Sequence, residues 1–322
     1  MTKPNFVGWL FVPAFAFTMT AWAQNWPVKP IKLILASAAG TPTDAVARIY
    51  APRLASDLGQ PVVIDNRGGA GGMMGLEAAA KSSPDGYTLL GAPGGIVITG
   101  PHLYITNVDF SKELDAVAPV SRASMFLVVR PGLPASNVAE LVAYARSHQG
   151  ALNFGSGGSG STPHIAGVML LRTAKIDAVH VPYKSTAQAT TEVLSGRIDL
   201  LFDPGTVVPL VKSGKLRLLA VARATRSPFF PDAPTMAESG FPVDVGATTM
   251  TGVYAPAGMP RDIIARLNRE LGRIVFDPEV RNAFAALGTE PTTQSPEQFS
   301  AEISRERDRF GSLIREANIK AD

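Results

Sequence analysis

Two turns of the chain combine glycines with hydroxyl side chains in a way that suits the binding of a small anion. The first loop, residues 37–44, reads SAAGTPTD, and the second loop, residues 155–164, reads GSGGSGSTPH. Each follows an apolar strand pattern and ends in a helix start with a Thr or Ser cap and a proline in the first turn. Free backbone N–H groups and the positive helix end attract anions, and glycine lets a ligand approach the backbone.

Both loops are therefore expected to supply ligand contacts. The candidate residues of the first loop are Ser37, Ala38, Ala39, Gly40, Thr41 and Asp44. Those of the second loop are Ser156, Gly157, Ser159, Gly160, Ser161, Thr162 and His164. Because Asp44 repels an incoming anion, we expect amides, hydroxyls or bridging waters in the first loop and no direct salt bridge. For His164, packing or capping is the alternative to a ligand contact.

Two more candidates follow predicted strands. Asp203 comes directly after the apolar run 198–202, so its carboxylate is expected to face the ligand cleft at the end of the sheet. There it either accepts a hydrogen bond from the ligand or caps the next loop. Tyr183 follows the run 176–181 in the same way and is a further candidate contact.

Motifs that would indicate an enzyme are missing or lie in the wrong context. Gly155, Gly157 and Gly160 match G-x-G-x-x-G spacing, but the helix begins only after the motif and no ribose-binding acid ends the next strand. There is no phosphate-binding P-loop and no G-x-S-x-G elbow. The four histidines show no pair at metal-ligand spacing. The sequence predicts no catalytic residue, no metal and no cofactor.

The elements that position these loops alternate between strand and helix patterns, which predicts an α/β architecture. Apolar runs read as strands at 31–36, 61–64, 126–129, 152–154, 176–181, 198–202 and 216–221. A Pro/Gly-rich stretch, residues 227–245, reads as a connection between two bodies. We predict two α/β lobes joined by two crossings near residues 126 and 252. Lobe 1 comprises residues 24–125 and 252–322, and lobe 2 comprises residues 126–251. A single doubly wound sheet is the alternative.

The N-terminus and the composition predict an exported protein. A basic residue, a short apolar run and the A-W-A triplet at 21–23 are typical of a signal peptide, so residues 1–23 are interpreted as cleaved before Gln24. An uncleaved anchor is the alternative. The chain has no cysteine, which excludes a lipoprotein anchor, disulfides and thiolate sites. Its net charge of +3 is spread evenly, so no nucleic acid is expected as a partner. The expected location is the periplasm.

Along almost the whole mature length the sequence resembles the Bug-type substrate-binding receptors of tripartite tricarboxylate transporters. Besides the second loop, the matching stretches are WPVKPI at 26–31, LGQPVV at 58–63, PDGYTLL at 84–90, HVPYK at 180–184, SGKLR at 213–217, AESG at 237–240, APAG at 255–258 and DPEVR at 277–281. The resemblance implies a type II periplasmic-binding-protein fold without catalysis. It also implies a small carboxylate ligand held between the lobes by the two loops, with Asp203 opposite them.

The resemblance further implies membrane transporter subunits as partners, and we expect the receptor to act as a monomer. A ligand sensor that signals to a membrane protein without transport is the alternative. Many relatives carry aromatic residues at the positions of Ser37 and Met250. If both positions face the cleft, the missing rings leave room for a bulkier or ring-bearing carboxylate. Met250 then joins the candidate ligand contacts.

Overall fold

The computed structural model describes residues 26–106 and 108–321, which form two β-sheets with helices packed on their faces. The predicted signal segment and the mature start at Gln24 lie outside the described residues. The strands are β1 (Ile31–Leu35), β2 (Val62–Asn66), β3 (Thr88–Pro93), β4 (Leu114–Ala123), β5 (Phe126–Val129), β6 (Asn153–Ser156), β7 (Val179–Pro182), β8 (Leu200–Asp203), β9 (Arg217–Val221), β10 (Met250–Pro256) and β11 (Thr289–Pro291).

The helices alternate with these strands. They are α1 (Pro42–Leu58), α2 (Met73–Ala80), α3 (Gly94–Leu103), α4 (Phe110–Glu113), α5 (Val138–Ser147), α6 (Thr162–Ala174), α7 (Thr186–Leu194), α8 (Val208–Lys212), α9 (Arg261–Val275), α10 (Pro278–Ala286) and α11 (Pro296–Glu316). In α9 the buried residues Ile263, Leu267, Leu271 and Ile274 recur at three- and four-residue spacing, which gives the helix one apolar face toward the sheet.

The first sheet has six strands in the order β11-β4-β10-β3-β1-β2. Strands β1, β2 and β3 are parallel, whereas β10 pairs antiparallel with both β3 and β4. The residues of β1 are buried except for Lys32, as expected for a parallel strand covered on both faces. The chain leaves β1 toward the first loop and returns as α1.

The second sheet has five strands in the order β7-β6-β8-β5-β9. Strand β6 is parallel to β7 and β8, and β5 is antiparallel to β8 and β9. The chain leaves β6 through the second loop and enters α6. Each sheet therefore sends a loop and a helix start from the carboxyl end of a parallel strand, which is where open α/β sheets place their ligands.

The chain passes between the sheets in two places. Residues 124–125 join β4 to β5, and residues 222–249 lead from β9 back to β10. The prediction of two α/β lobes is confirmed, and the division into two sheets excludes the single doubly wound sheet. The lobe boundaries drawn from the sequence stay predictions. No helix in the described ranges is long and apolar enough to cross a membrane.

Candidate ligand site between the lobes

A cavity of about 320 Å³ lies between the lobes, where the segments that follow β1, β3, β6 and β8 meet the two connections. This volume falls within the range of about 300–1,000 Å³ that is typical of small-molecule pockets. The residues that line it are Ser37, Thr41, Pro42, Thr43, Val46, Pro93, Ala123, Met125, Thr162, Pro163, Pro204, Thr206, Thr248, Thr249, Leu287 and Thr289.

The lining contains no Asp, Glu, Lys or Arg from the described part of the chain. Its polar groups are hydroxyls, and several of them are free to bind a ligand. The Ser37 hydroxyl is buried without a hydrogen-bond partner. The hydroxyls of Thr43, Thr162 and Thr289 likewise form no hydrogen bond within residues 26–106 and 108–321. Because a buried hydroxyl is costly to leave unpaired, Ser37 marks a position where a ligand or water is expected.

Two helix N-termini face this cavity. Helix α1, with 17 residues, begins at Pro42, and helix α6, with 13 residues, begins at Thr162, and both residues belong to the lining. The N-terminal end of each helix carries a partial positive charge of roughly half a unit. A carboxylate in the cavity would thus meet neutral hydroxyl donors and two favourable helix dipoles, with no cationic side chain.

In the first loop, Asp44 holds the backbone in place and does not reach the cavity. Its carboxylate is 3% exposed and accepts hydrogen bonds from the Gly40 N–H at 2.9 Å, Arg48 Nε at 2.9 Å and Asn66 Nδ2 at 3.0 Å. The hydrogen bond from Arg48, with help from those of Gly40 and Asn66, lowers the pKa of the Asp44 carboxyl to about 2 against the burial that opposes it. The negative charge that would repel an anion is therefore balanced inside the loop.

The N-cap of α1 is Thr41, as expected from the sequence. The Thr41 hydroxyl donates to the Ala38 carbonyl at 2.8 Å and accepts from the Asp44 N–H. Asp44, however, accepts from Gly40 rather than from the Thr41 backbone. Ala38, Ala39 and Gly40 are exposed and are not part of the cavity lining.

In the second loop, two stacked imidazoles hold the backbone. The rings of His164 and His180 lie 3.8 Å apart with a 6° angle between their planes. The Phe154 ring packs beside both, 4.8 Å from His180 and 6.1 Å from His164 between ring centres. The Gly160 N–H donates to His164 Nδ1 at 2.9 Å, and His180 Nε2 lies 2.7 Å from Ser156 Oγ. His164 thus positions the loop, which is the packing alternative considered from the sequence.

The remaining polar residues of the second loop bond to one another. Ser156 is fully buried, and its hydroxyl contacts both the carbonyl and the N–H of Gly158. The Ser161 hydroxyl donates to the same carbonyl at 2.7 Å. Of the second-loop candidates only Thr162 lines the cavity. The other candidates are not part of its lining: Ser156, Gly157, Ser159, Gly160, Ser161 and His164.

The lobes touch on both sides of the cavity, and glycines form these contacts. A Cβ added to Gly205 would lie 2.9 Å from the Gly288 carbonyl oxygen, and one added to Gly160 would lie 2.8 Å from Leu103 Cδ1. Both glycines have positive φ, +113° and +77°, so a side chain there would be strained as well as crowded. The two lobes approach this closely because these positions carry no side chain.

Asp203 caps the next loop and is not among the residues that line the cavity, which favours the capping role, while a direct ligand contact stays a prediction. It is fully buried, and it accepts from the N–H groups of Gly205 and Val207 and from the hydroxyls of Thr190 and Thr206. Burial raises the pKa of its carboxyl, and these four hydrogen bonds oppose the rise. Since Thr206 is a lining residue, Asp203 acts on the site by positioning it.

Two other candidates stand away from the cavity. Met250 is 1% exposed in the core, where its sulfur faces the Arg122 guanidinium at 3.5 Å, so the expectation that it walls the cleft is wrong. The reason is that Thr248 and Thr249, just before β10, occupy the cleft side instead. Tyr183 is half-buried against the second sheet, and its N–H donates to the Ser156 carbonyl.

Several lining residues are not predicted from the sequence, although some of them lie at strand ends that the sequence pattern indicates. Pro93 ends β3 and Thr206 follows β8, so both occupy strand ends of the kind that identified the loops. Thr248 and Thr249 precede β10, close to the crossing expected near residue 252. Leu287 and Thr289 were missed because β11 is only three residues long and has no periodic pattern. In the described ranges, no group of three His, Cys, Asp or Glu residues could hold a metal ion.

Comparison with known proteins agrees with this architecture. Residues 46–319 match the model of the tripartite tricarboxylate transporter family receptor. Protein BugT of Bordetella pertussis is 34% identical over 327 residues, which covers 99% of each chain. Since the family match spans most of the chain and BugT is covered almost completely, family membership is established.

Solved structures of similar proteins have the same fold. Rpa4515 of R. palustris with adipate superposes with a TM-score of 0.79 at 31% identity, covering 92% of this chain and 99% of that one. MatC from Rhodopseudomonas palustris with bound malate gives a TM-score of 0.75 at 30% identity, covering 90% of this chain and 100% of that one. The chain belongs to the tripartite tricarboxylate transporter receptor family and is a Bug-type periplasmic solute-binding receptor, not an enzyme.

Proposed function

We propose that this receptor captures a small organic carboxylate between its lobes and delivers it to a tripartite tricarboxylate-type membrane transporter. The observation that carries the capture step is the cavity in which the unpartnered Ser37 hydroxyl and two helix N-termini meet within an uncharged lining. Relatives of the same fold that are bound to adipate and malate support the carboxylate class. Family membership supports the delivery step.

The proposed ligand has an apolar body and is larger than a four-carbon diacid. Val46, Met125 and Leu287 give the cavity an apolar wall, and Ser37 leaves space where many relatives carry a ring. Since Met250 does not face the cleft, only one of the two missing rings supports this proposal. Calorimetric titration with benzoate and succinate tests it, and we expect benzoate to bind more tightly. Tighter binding of succinate would contradict it.

Capture is tested by identifying the bound molecule. Mass spectrometry after mild denaturation of protein purified from its native host should release a carboxylic acid. Added back at 100 times its dissociation constant, that acid should stabilise the fold by about 2.7 kcal/mol and be recovered unchanged. Release of an uncharged solute, or chemical conversion of the acid, would reject the proposal.

Delivery needs a separate measurement because a ligand sensor would bind equally well. Uptake of the labelled acid into proteoliposomes that contain the cognate membrane subunits should require the receptor. Uptake that is the same without the receptor would reject delivery while leaving capture intact. We further propose that the receptor is a monomer, and light scattering with and without ligand should give the mass of one chain.

Export is proposed to occur through a signal peptide that is cleaved after Ala23. The basis is the sequence pattern of residues 1–23, which lie outside the described residues. Intact-mass analysis of periplasmic protein should give a chain that begins at Gln24. A membrane-retained product that still carries Met1 would contradict this.

A further inference from the structure

A second cavity, of about 120 Å³, lies within the first lobe between α3, α4, β4, β10 and α11. It shares no lining residue with the cavity between the lobes. Its polar lining comes mainly from Tyr254 on β10 and from Ser300, Ser304 and Arg307 on α11. The volume exceeds the share of about 30 Å³ that one water molecule occupies in the liquid.

Tyr254 brings a buried hydroxyl to this cavity. The residue is 2% exposed, its ring packs on Phe299 at 5.2 Å, and its hydroxyl has no hydrogen-bond partner. Burial raises the pKa of this phenol, so the hydroxyl keeps its proton and is available as a donor. A buried polar group without a partner is rare in folded proteins and indicates that something outside the chain pairs with it.

Arg307 brings an unpaired positive charge to the same place. Its Nε atom is buried without a partner, and its guanidinium forms no ion pair with any residue in the described ranges. Burial lowers the pKa of this guanidinium, but arginine stays charged in proteins. The nearby Asp109 carboxylate is already engaged by Lys112 Nζ at 2.9 Å and by Ser111. Asp109 and Asp308 act on the Arg307 charge from a distance, but neither forms an ion pair with the guanidinium in the described ranges.

We propose that this first-lobe cavity binds a small oxyanion, of the size and chemistry of sulfate or phosphate. The guanidinium offers a planar fork of N–H donors that matches oxyanion geometry, and the Tyr254 hydroxyl donates from the buried side. The Ser300 and Ser304 hydroxyls, at the exposed rim, are free to complete the shell. Water alone would pair with the hydroxyls but would leave the Arg307 guanidinium without a directly bonded counter-ion in the described ranges.

The test compares four proteins titrated with sodium sulfate in a calorimeter at fixed ionic strength. The wild type should show saturable binding at one site. Arg307→Gln should weaken it at least tenfold, and Tyr254→Phe, which keeps the packed ring, should weaken it severalfold. The matched control is Arg315→Gln, on the same helix, because Arg315 is exposed and bonds only to Ser312. That variant should bind sulfate like the wild type.

Crystals grown with sodium selenate locate the anion independently of affinity. An anomalous selenium peak beside the Arg307 guanidinium is expected in the wild type and in Arg315→Gln, but not in Arg307→Gln. The proposal is overturned if the wild type shows no saturable sulfate binding. It is also overturned if all four proteins respond alike, because sulfate stabilises proteins generally, or if selenate appears only elsewhere. Binding of the cleft ligand should stay unchanged in Tyr254→Phe, which separates this site from the proposed function.

Discussion

The two loops that approach the cleft present the same feature, a helix N-terminus, but they are held in place by different interactions. In the first loop a carboxylate organises the turn, with Asp44 binding Gly40, Arg48 and Asn66. In the second loop uncharged groups do so, because His164 is stacked on His180 and accepts from Gly160. Two different sets of local interactions thus place uncharged hydrogen-bond donors at one cavity.

This difference has a consequence for stability. The first loop depends on a charge that acid can remove, whereas the second depends on close packing and a positive φ at Gly160, which a side chain would disturb. Substitutions that add bulk are therefore expected to affect the second loop most. Changes that remove the Asp44 charge should affect the first.

The largest effect is expected for Gly160→Val. The residue has φ of +77°, and its Cβ would lie 2.8 Å from Leu103 across the cleft. Backbone strain at such a position costs about 1–3 kcal/mol, and the contact with Leu103 hinders closure of the lobes. Ligand affinity should fall tenfold or more, which corresponds to about 1.4 kcal/mol. Calorimetry and thermal unfolding of the same preparation measure the two effects.

A matched control is Gly196→Val. Gly196 has nearly the same φ, +80°, but nothing lies within 4 Å of a Cβ added there. It should lose similar stability and bind the ligand like the wild type. Equal loss of affinity in the two variants would mean that strain alone, and not the approach to Leu103, explains the result.

A smaller effect is expected for His164→Leu. The change removes the acceptor of the Gly160 N–H and one ring of the stack while keeping an apolar side chain of similar size. Leaving a buried N–H unpaired costs about 1–3 kcal/mol of unfolding free energy, measured by urea denaturation. An unchanged unfolding midpoint would show that the imidazole does not support the loop.

Asp44→Asn should lower stability by about 1 kcal/mol at neutral pH, because it removes the charge that binds Arg48 and Gly40. The wild-type carboxyl has a folded pKa of about 2, below its ordinary value of 3.8. The ionised carboxylate therefore stabilises the fold above about pH 4, and this contribution is lost as the pH falls from about 4 to 2. Thermal unfolding across this range should show the extra acid sensitivity in the wild type only. Parallel curves for the two proteins would contradict this explanation.

The smallest effect is expected for Asp203→Asn. An amide can accept the N–H bonds of Gly205 and Val207 with its oxygen, and the hydroxyls of Thr190 and Thr206 can turn to accept from its nitrogen. Because Asp203 does not line the cavity, ligand affinity should change less than threefold. A loss of tenfold or more in a folded variant would indicate direct contact with the ligand.

The sequence predicts the fold better than it predicts the lining of the site. The predicted runs near 152–154, 198–202 and 216–221 coincide with strands, and both helices begin where the loops end. Thr41 caps α1 with its side chain as expected, whereas Ser161 at the start of α6 makes no such capping bond. These predictions depend on local patterns, namely the spacing of apolar residues in strands and the residue types at helix starts. The role of His180 in the second loop depends on the pairing of β6 with β7, a contact that no local pattern contains.

The same limit explains the residues misplaced in the site. Asp203 stands at a strand end as expected, but whether its carboxylate points to the ligand or to its own loop is decided by the turn at Gly205. Met250 begins β10, a strand whose seven residues are all buried, so its side chain packs in the core.

The central claim is that uncharged hydroxyls from both lobes bind a carboxylate in the cleft. Calorimetric titration of the carboxylate identified by mass spectrometry, in the wild type and in a Ser37→Ala/Thr162→Val double variant, tests it most directly. The wild type should bind one molecule per chain, and the double variant should bind about 30-fold to 150-fold more weakly if each hydroxyl contributes about 1–1.5 kcal/mol. Thr191→Val, an exposed threonine outside the cavity, is the control. Equal affinity in the double variant and the wild type would contradict the account.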